Sequence, residues 1–488
     1  MLYYGHPTVK VENVNFCNIT VTYTHPSQND TIHFEIWLRL DNYNGRLQSV
    51  GGGGWIAGRY PPSYTAMSGA IGEGYATSTM DAGLKMQPDM QPDSWALTSE
   101  GNPNLYALNN LGSVSLNDQA IISKQLIKSF YGGDPEYSYW NGCSQGGRQG
   151  MMLAQRFPNA YDGIHASAPA IYWNRLVGST FWAQFLMNYM QYYPPPCELK
   201  AITDAAVKAC DGLDGVIDGI ISDEEACEFD PLSIAGTSFN CSDTGDKMEI
   251  SKEAAILAKA AWAGPRTKDG KFLWYGPNIG SQLAGSTTAL TNDIGLAMTE
   301  CSNSTCTGVP VGLGEVWWKY WIKSDPSWFY ENMTHEDFQS YFRSTIRRYD
   351  SIFGTSGTDL SALCGGEKAA WLPRHCNDQI IPVKNTEHYY DQVSRKNPKV
   401  HDFYRVFEVP GLLHCSGGPG GQPRNTFDTL RAWVENWTVP KALEHHYVDV
   451  DGEKQNRLLC PYPKKAQLKR NAKGKKAVER NDFECVEP

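Results

Sequence analysis

A chain of 488 residues is longer than one compact core of ordinary size supports, so two domains or one domain with a large insertion are expected. With 41% hydrophobic and 20% charged residues the composition is that of a globular protein, and 46 glycines and 28 prolines imply many connecting loops. A formal net charge of −10 argues against nucleic acid as a partner, and no run of about 18 apolar residues is present to span a membrane.

Thr20 to Thr24 and Thr31 to Leu40 carry the β-branched, alternating patterns of strands. Leu47 to Val50 is a third candidate and runs into Gly51-Gly52-Gly53-Gly54, where backbone must turn sharply or approach something closely. Asp118 to Tyr131 has apolar residues at helical spacing and stops at Gly132-Gly133. Tyr137 to Trp140 reads as a short aromatic strand, followed by a glycine turn and a helix over Arg148 to Phe157. This alternation predicts an α/β fold with a largely parallel sheet. From about Ile171 to Arg347 the texture changes to Trp, Tyr, Pro and closely spaced cysteines, with helices over Lys252 to Ala263 and His335 to Arg348 and no recurrent strands. The expectation is a helical domain, 171–347, inserted into a discontinuous domain made of 1–170 and 348–488. Alternation resumes near Ala369, with helices over Glu387 to Val393 and Thr426 to Val434. The basic run Lys464 to Arg480 reads as a solvated loop.

Thirteen cysteines and sequons at Asn18, Asn29, Asn240, Asn303, Asn332 and Asn436 favour an oxidising, glycosylating secretory route. The opening MLYYGHPTVKVENVNFC lacks the charged start, apolar stretch and small-residue site of a signal peptide, so a mature form or missing upstream sequence is expected. Cys17 is the natural orphan of the odd cysteine count.

Gly142-Cys143-Ser144-Gln145-Gly146 fits G-x-S-x-G, in which a serine sits on a tight strand-to-helix corner with its hydroxyl pushed out. A serine hydroxyl is a weak nucleophile until a base takes its proton, and that base needs a carboxylate to hold its ring. His414 stands out among the histidines because it lies in a late glycine-rich loop and precedes Cys415. A Cys143 to Cys415 disulfide would fasten the residue before the nucleophile to the residue after the base; alternatively both cysteines pair elsewhere and His414 is a loop histidine. Asp378 follows the apolar stretch Ala369 to Leu372 and is the best placed carboxylate, with Asp350 and Asp359 also between serine and histidine. Charge developing on a carbonyl oxygen needs donors: the Gln145 amide, and a second N–H in the glycine run, at Gly53 or Gly54.

These residues resemble the tannase and feruloyl esterase family. The likeness rests on GCSQGGRQG at 142–150, AYDGIHASAPA at 160–170, DGVIDGIISD at 214–223, NDQIIP at 377–382, GLLHCSGG at 411–418 and LCPYPK at 459–464, and covers nearly the whole chain. It implies an α/β-hydrolase core with a lid inserted after the nucleophile helix. It further implies a Ser144, Asp378, His414 triad braced by Cys143 and Cys415, and hydrolysis of esters of aromatic acids such as ferulate or gallate in a pocket supplied by the lid. A small aromatic ester is the expected partner. The stretch before Asp378 departs from the family's W-H-G-x-x-D pattern. Spacing alone makes Cys210 to Ile220 a solvated Asp-Gly turn; the resemblance implies structural Ca2+ held by Asp211, Asp214 and Asp218 with the carbonyls of Val216 and Ile220, and Cys210 with Cys227 clamping the loop. No organic cofactor is implied. Cys460 with Cys485 and Cys301 with Cys306 are expected local pairs, and Cys197, Cys241, Cys364 and Cys376 stay unassigned. The rival readings are a catalytically silent extracellular binding protein and a serine peptidase.

Overall fold

Phe16–Tyr23 (β1) and Ile32–Arg39 (β2) pair antiparallel, from Phe16 opposite Arg39 to Tyr23 opposite Ile32. The structure, a computed structural model, describes residues 9–84, 91–285, 294–302, 305–363, 369–375, 377–472, 474–475 and 477–487. β1 alternates exposed and half-buried residues, as an edge strand should, whereas Ile32, Phe34, Ile36 and Leu38 of β2 are fully buried. The sheet continues with Arg46–Val50 (β3), Ala76–Met80 (β4), Tyr137–Cys143 (β5), Gly163–Ser167 (β6), Ala369–His375 (β7) and Tyr404–Val409 (β8). Its order is β1-β2-β4-β3-β5-β6-β7-β8. β2 is antiparallel to β4, and every pairing from β4 to β8 is parallel. Parallel strands joined by crossovers need cover on both faces, and every residue of β4 and β6 is buried.

The larger helices are Pro61–Gly72 (α1), Ser115–Tyr131 (α2), Gln145–Arg156 (α3), Trp173–Met190 (α4), Pro196–Cys210 (α5), Lys252–Ala263 (α6), His335–Phe353 (α7), Val383–Lys396 (α8) and Thr426–Asn436 (α9). Local chemistry sets their ends. α2 stops at Gly132, whose φ of 87° costs glycine little. The α6 start is capped by the Ser251 hydroxyl, which accepts the Ala254 N–H at 3.0 Å. At α7, Thr334 accepts the Asp337 N–H while Asp337 accepts the Thr334 N–H, a reciprocal cap.

Between Ser167 and Ala369 the described residues add no strand to the large sheet. The insertion is mainly helical, with two short hairpins the sequence did not announce, Ser238–Asn240 with Lys247–Glu249 and Thr299–Ser302 with Thr305–Gly308. α7 runs past Arg347 to Phe353, so the expected boundary at 347/348 falls inside a helix. The insertion has a small core of its own around Leu199, Ile202, Leu257 and Trp262. Its larger part shares the main core, which runs unbroken from Phe34, Leu47 and Trp140 to Trp173, Phe181, Trp317 and Phe338.

The basic run is not a loop throughout. Lys465–Leu468 pairs with Phe483–Val486, and acidic partners draw its charges in: Lys465 meets Asp223 and Glu225, Lys464 meets Glu487, and Lys475 meets Asp482.

Candidate active site

Glycine run, serine, aspartate and histidine all follow the carboxyl ends of strands, β3, β5, β7 and β8 respectively. In a parallel sheet these ends share one edge, where side chains from distant segments converge. Ser144 turns the chain from β5 into α3 at φ 63° and ψ −121°, a conformation L-residues adopt only at a cost of roughly 1–3 kcal/mol. Close backbone passage enforces it: a Cβ on Gly142 would lie 2.4 Å from the Gly146 carbonyl oxygen, and one on Gly147 2.3 Å from that of Ser167. The Ser144 N–H donates to Ser167 at 3.1 Å, and the Ala170 N–H to the Ser144 carbonyl at 3.2 Å.

His414 Nε2 lies 2.8 Å from Ser144 Oγ, and its Nδ1 lies 2.8 Å from Asp378 Oδ2. Asp378 is 2% exposed, and its Oδ1 accepts the N–H groups of Ile380 and Ile381 at 3.0 and 2.8 Å. Those bonds aim the other oxygen at the imidazole. With Nδ1–H donated to the carboxylate, Nε2 is left to accept the serine proton. The His414 backbone N–H donates to the buried Gln379 side chain at 3.0 Å. Asp350, by contrast, accepts from Asn174 and Ser356, and Asp359 is taken up by the Ser361 N–H; neither reaches the histidine.

Cys143 and Cys415 form a disulfide with Cα atoms 5.9 Å apart, spanning 272 residues. Cys210–Cys227, Cys301–Cys306 and Cys460–Cys485 also pair, and Cys197 joins Cys241. Cys17 is free and half-buried; Cys364 and Cys376 lie outside the described residues.

Of the two glycine donors expected, Gly53 is excluded: its N–H is spent on the Ile56 carbonyl at 3.1 Å. Gly54, at φ 55°, lines the same cavity as Ser144 and His414, and among the described residues its amide has no partner. The Gln145 amide is the first of α3, ahead of any intrahelical acceptor. The serine motif also holds the glycine run in place, a role the sequence reading missed. Gln149 accepts the Gly52 N–H at 2.9 Å and donates to Ala57 at 3.0 Å. Arg148, fully buried, donates to the Gln145 side chain and to the carbonyls of Leu111 and Gly112, and burial pulls its guanidinium down to about 9.

The cavity over Ser144 measures about 280 Å³. Val50, Trp55, Ala66 and Ile380 wall it from the core, and Ile294, Val311 and Leu313 from the insertion. The insertion thus supplies aliphatic wall rather than its tryptophans: Trp173, Trp317, Trp318 and Trp321 are buried core, the usual use of large aromatics.

The aspartate loop lies apart from this cavity. Asp211 accepts the N–H groups of Asp218, Gly219 and Ile220. Asp214 and Asp218 each give an oxygen to Arg457, at 2.5 and 2.6 Å, and Tyr447 donates to Asp218. Three carboxylates and one guanidinium gather around Asp218, which is 1% exposed and whose carboxyl is pushed up by burial. Among the described residues no choice of one oxygen from each of the three aspartates brings all of them within 4.8 Å of one another, so here the loop is held by its own backbone N–H groups and by Arg457.

A sheet in this order, with a strained serine after its fifth strand and a carboxylate-held imidazole on the hydroxyl, defines an α/β-hydrolase. Over residues 17–486 the chain matches the family described as Tannase and feruloyl esterase. It belongs to that family of carboxylic ester hydrolases. It is 34% identical over 490 residues to "Probable feruloyl esterase" of Arthroderma benhamiae, covering 98% of this chain and 87% of that protein. Against "Tannase" of Aspergillus oryzae it is 25% identical over 525 residues, covering 97% and 85%. The fold is shared with "Tannin acyl hydrolase from Aspergillus niger" at a TM-score of 0.86 and 24% identity, covering 97% of this chain and 87% of that one.

Proposed function

We propose that this protein is a serine carboxylesterase cleaving esters of plant aromatic acids, hydroxycinnamates such as ferulate or gallate, through an acyl-enzyme. The observation that carries the reading is the continuous chain of hydrogen bonds from Asp378 through His414 to the Ser144 hydroxyl. Ser144 Oγ attacks the ester carbonyl as His414 Nε2 takes its proton, and Asp378 holds the imidazolium that forms. The amides of Gln145 and Gly54 receive the oxyanion. His414 returns the proton to the leaving alcohol, and water then repeats the sequence to free the acid. A largely apolar cavity suits a flat aromatic acid, and family relatives named for ferulate and tannin esters support that substrate class.

Ca2+ held by Asp211, Asp214 and Asp218 with the carbonyls of Val216 and Ile220 would stiffen the loop and take no part in ester cleavage. Secretion and glycosylation are supported by the five disulfides among the described residues and by exposed sequon asparagines at 18, 29, 240, 332 and 436; Asn303 lies outside the described residues. No helix among the described residues is long and apolar enough to cross a membrane.

Initial rates on methyl ferulate, caffeate, p-coumarate and gallate test the reading. Ser144→Ala should cut turnover of the preferred ester by at least about a thousandfold with an unchanged circular dichroism spectrum. Activity retained in that variant would refute the mechanism.

A further inference from the structure

Gly54 and Trp55 are the central pair of one tight turn, closed by Gly53 N–H to Ile56 at 3.1 Å and Ile56 N–H to Gly53 at 2.9 Å. The direction of the Gly54 amide and the placement of the Trp55 indole are therefore set together. That indole is 3% exposed, stacks on Trp321 with centroids 4.9 Å apart, and meets Trp173 edge-on at 5.2 Å. Its Nε1–H donates to the Gly312 carbonyl at 2.9 Å, across 257 residues of sequence. Gly312 stands between Val311 and Leu313, which wall the cavity over Ser144. One hydrogen bond thus joins the insertion's wall to the turn that bears the oxyanion donor.

We propose that Trp55 is a positioning and specificity-determining residue, coupling occupancy of the Val311 to Leu313 wall by the acyl group to the placement of the Gly54 amide at the reacting carbonyl. The proposal rests on Ser144 as nucleophile and Gly54 as oxyanion donor. An aromatic acyl group that presses on the wall holds Gly312, hence the indole, hence the turn. Contact remote from the bond being broken is spent on orienting the donor, so it is felt in kcat. An acetyl group fills far less of the cavity of about 280 Å³ than a feruloyl group does, so it presses less on the wall and gains less from the latch.

Trp55→Phe keeps a ring in the aromatic stack and deletes the N–H. The assay compares p-nitrophenyl ferulate with p-nitrophenyl acetate, which share a leaving group, and separates kcat from KM. For the ferulate ester kcat should fall about tenfold, the scale of one lost hydrogen bond, with KM within about twofold, and kcat for acetate should fall less, so that the ferulate-to-acetate ratio of kcat drops about fivefold. Equal losses on both esters, or no loss on the ferulate ester, overturn the coupling. Should Trp55→Phe fail to fold, Leu313→Ala loosens the wall and leaves the indole in place. A selective fall in ferulate kcat supports the proposal, and a change confined to KM overturns it. A wild-type enzyme that hydrolysed neither ester, or whose Ser144 escaped a fluorophosphonate label, would instead sink the underlying reading, so the two failures are told apart.

Discussion

Ser144 illustrates how single side chains are made reactive here: backbone crowding forces φ to 63°, and the same crowding aims the hydroxyl at His414 Nε2. A second unusual side chain is Glu315, behind the cavity wall. Burial pushes its carboxyl up to about 7 from the ordinary 4.5, against the pull of the Glu315 and Gly312 backbone N–H groups. Between those values the folded protein keeps a proton the unfolded chain has released. The Glu315 contribution to stability is therefore full below about pH 4.5, declines as pH rises to about 7 and is level beyond, by about 3 kcal/mol in all. Glu315→Gln should match the native protein in thermal unfolding near pH 4.5 and surpass it near pH 8; an offset independent of pH would contradict this. The nucleophile and base were legible because each sits in a motif whose glycines and cysteine have a mechanical purpose. Gly53 and Gly54 were not separable in sequence, because which amide is free depends on the Ile56 carbonyl folding back onto one of them.

The elements that present these residues are short loops after parallel strands, and the Cys143–Cys415 bridge ties two of them together. Its loss should affect both stability and geometry. Replacing both cysteines by alanine is expected to destabilise the fold by about 2–5 kcal/mol and to lower kcat about tenfold or more, since an imidazole displaced by even an ångström no longer meets the hydroxyl. A variant with native melting and native kcat would show the staple to be idle. α6 was read from the sequence to the residue, from Lys252 to Ala263, because a serine cap and a terminal glycine bracket it. α4 was invisible: it is buried on nearly every side, so it carries no polar face to mark a helical period. β4 was missed for a related reason. Its sequence ATSTM is fully buried yet built of small polar residues, which bond within the sheet and core rather than announcing themselves as an apolar run.

Across the molecule the insertion is welded to the sheet, since one core runs from β2 and β5 through Trp55 to the tryptophans of the segment after β6. The resemblance implies a pocket supplied by the inserted segment without saying which of its residues line it; Ile294, Val311 and Leu313 do, while most of its Trp and Tyr rings fill the shared core, a distinction that burial decides and composition does not. The far end of the chain is joined likewise, by Arg457 on Asp214 and Asp218. If Ca2+ binds there, chelation should lower the melting temperature by several degrees and added calcium should restore it, with kcat at 25 °C little changed; indifference of the melting temperature to chelator would exclude the ion. The claim on which all else depends is that Ser144 carries the acyl group. Enzyme mixed with excess p-nitrophenyl ferulate, quenched in acid within milliseconds and digested, should yield the peptide containing Ser144 heavier by one feruloyl group, and the Ser144→Ala protein should yield none. A feruloyl adduct on another residue, or its persistence in Ser144→Ala, would contradict the account.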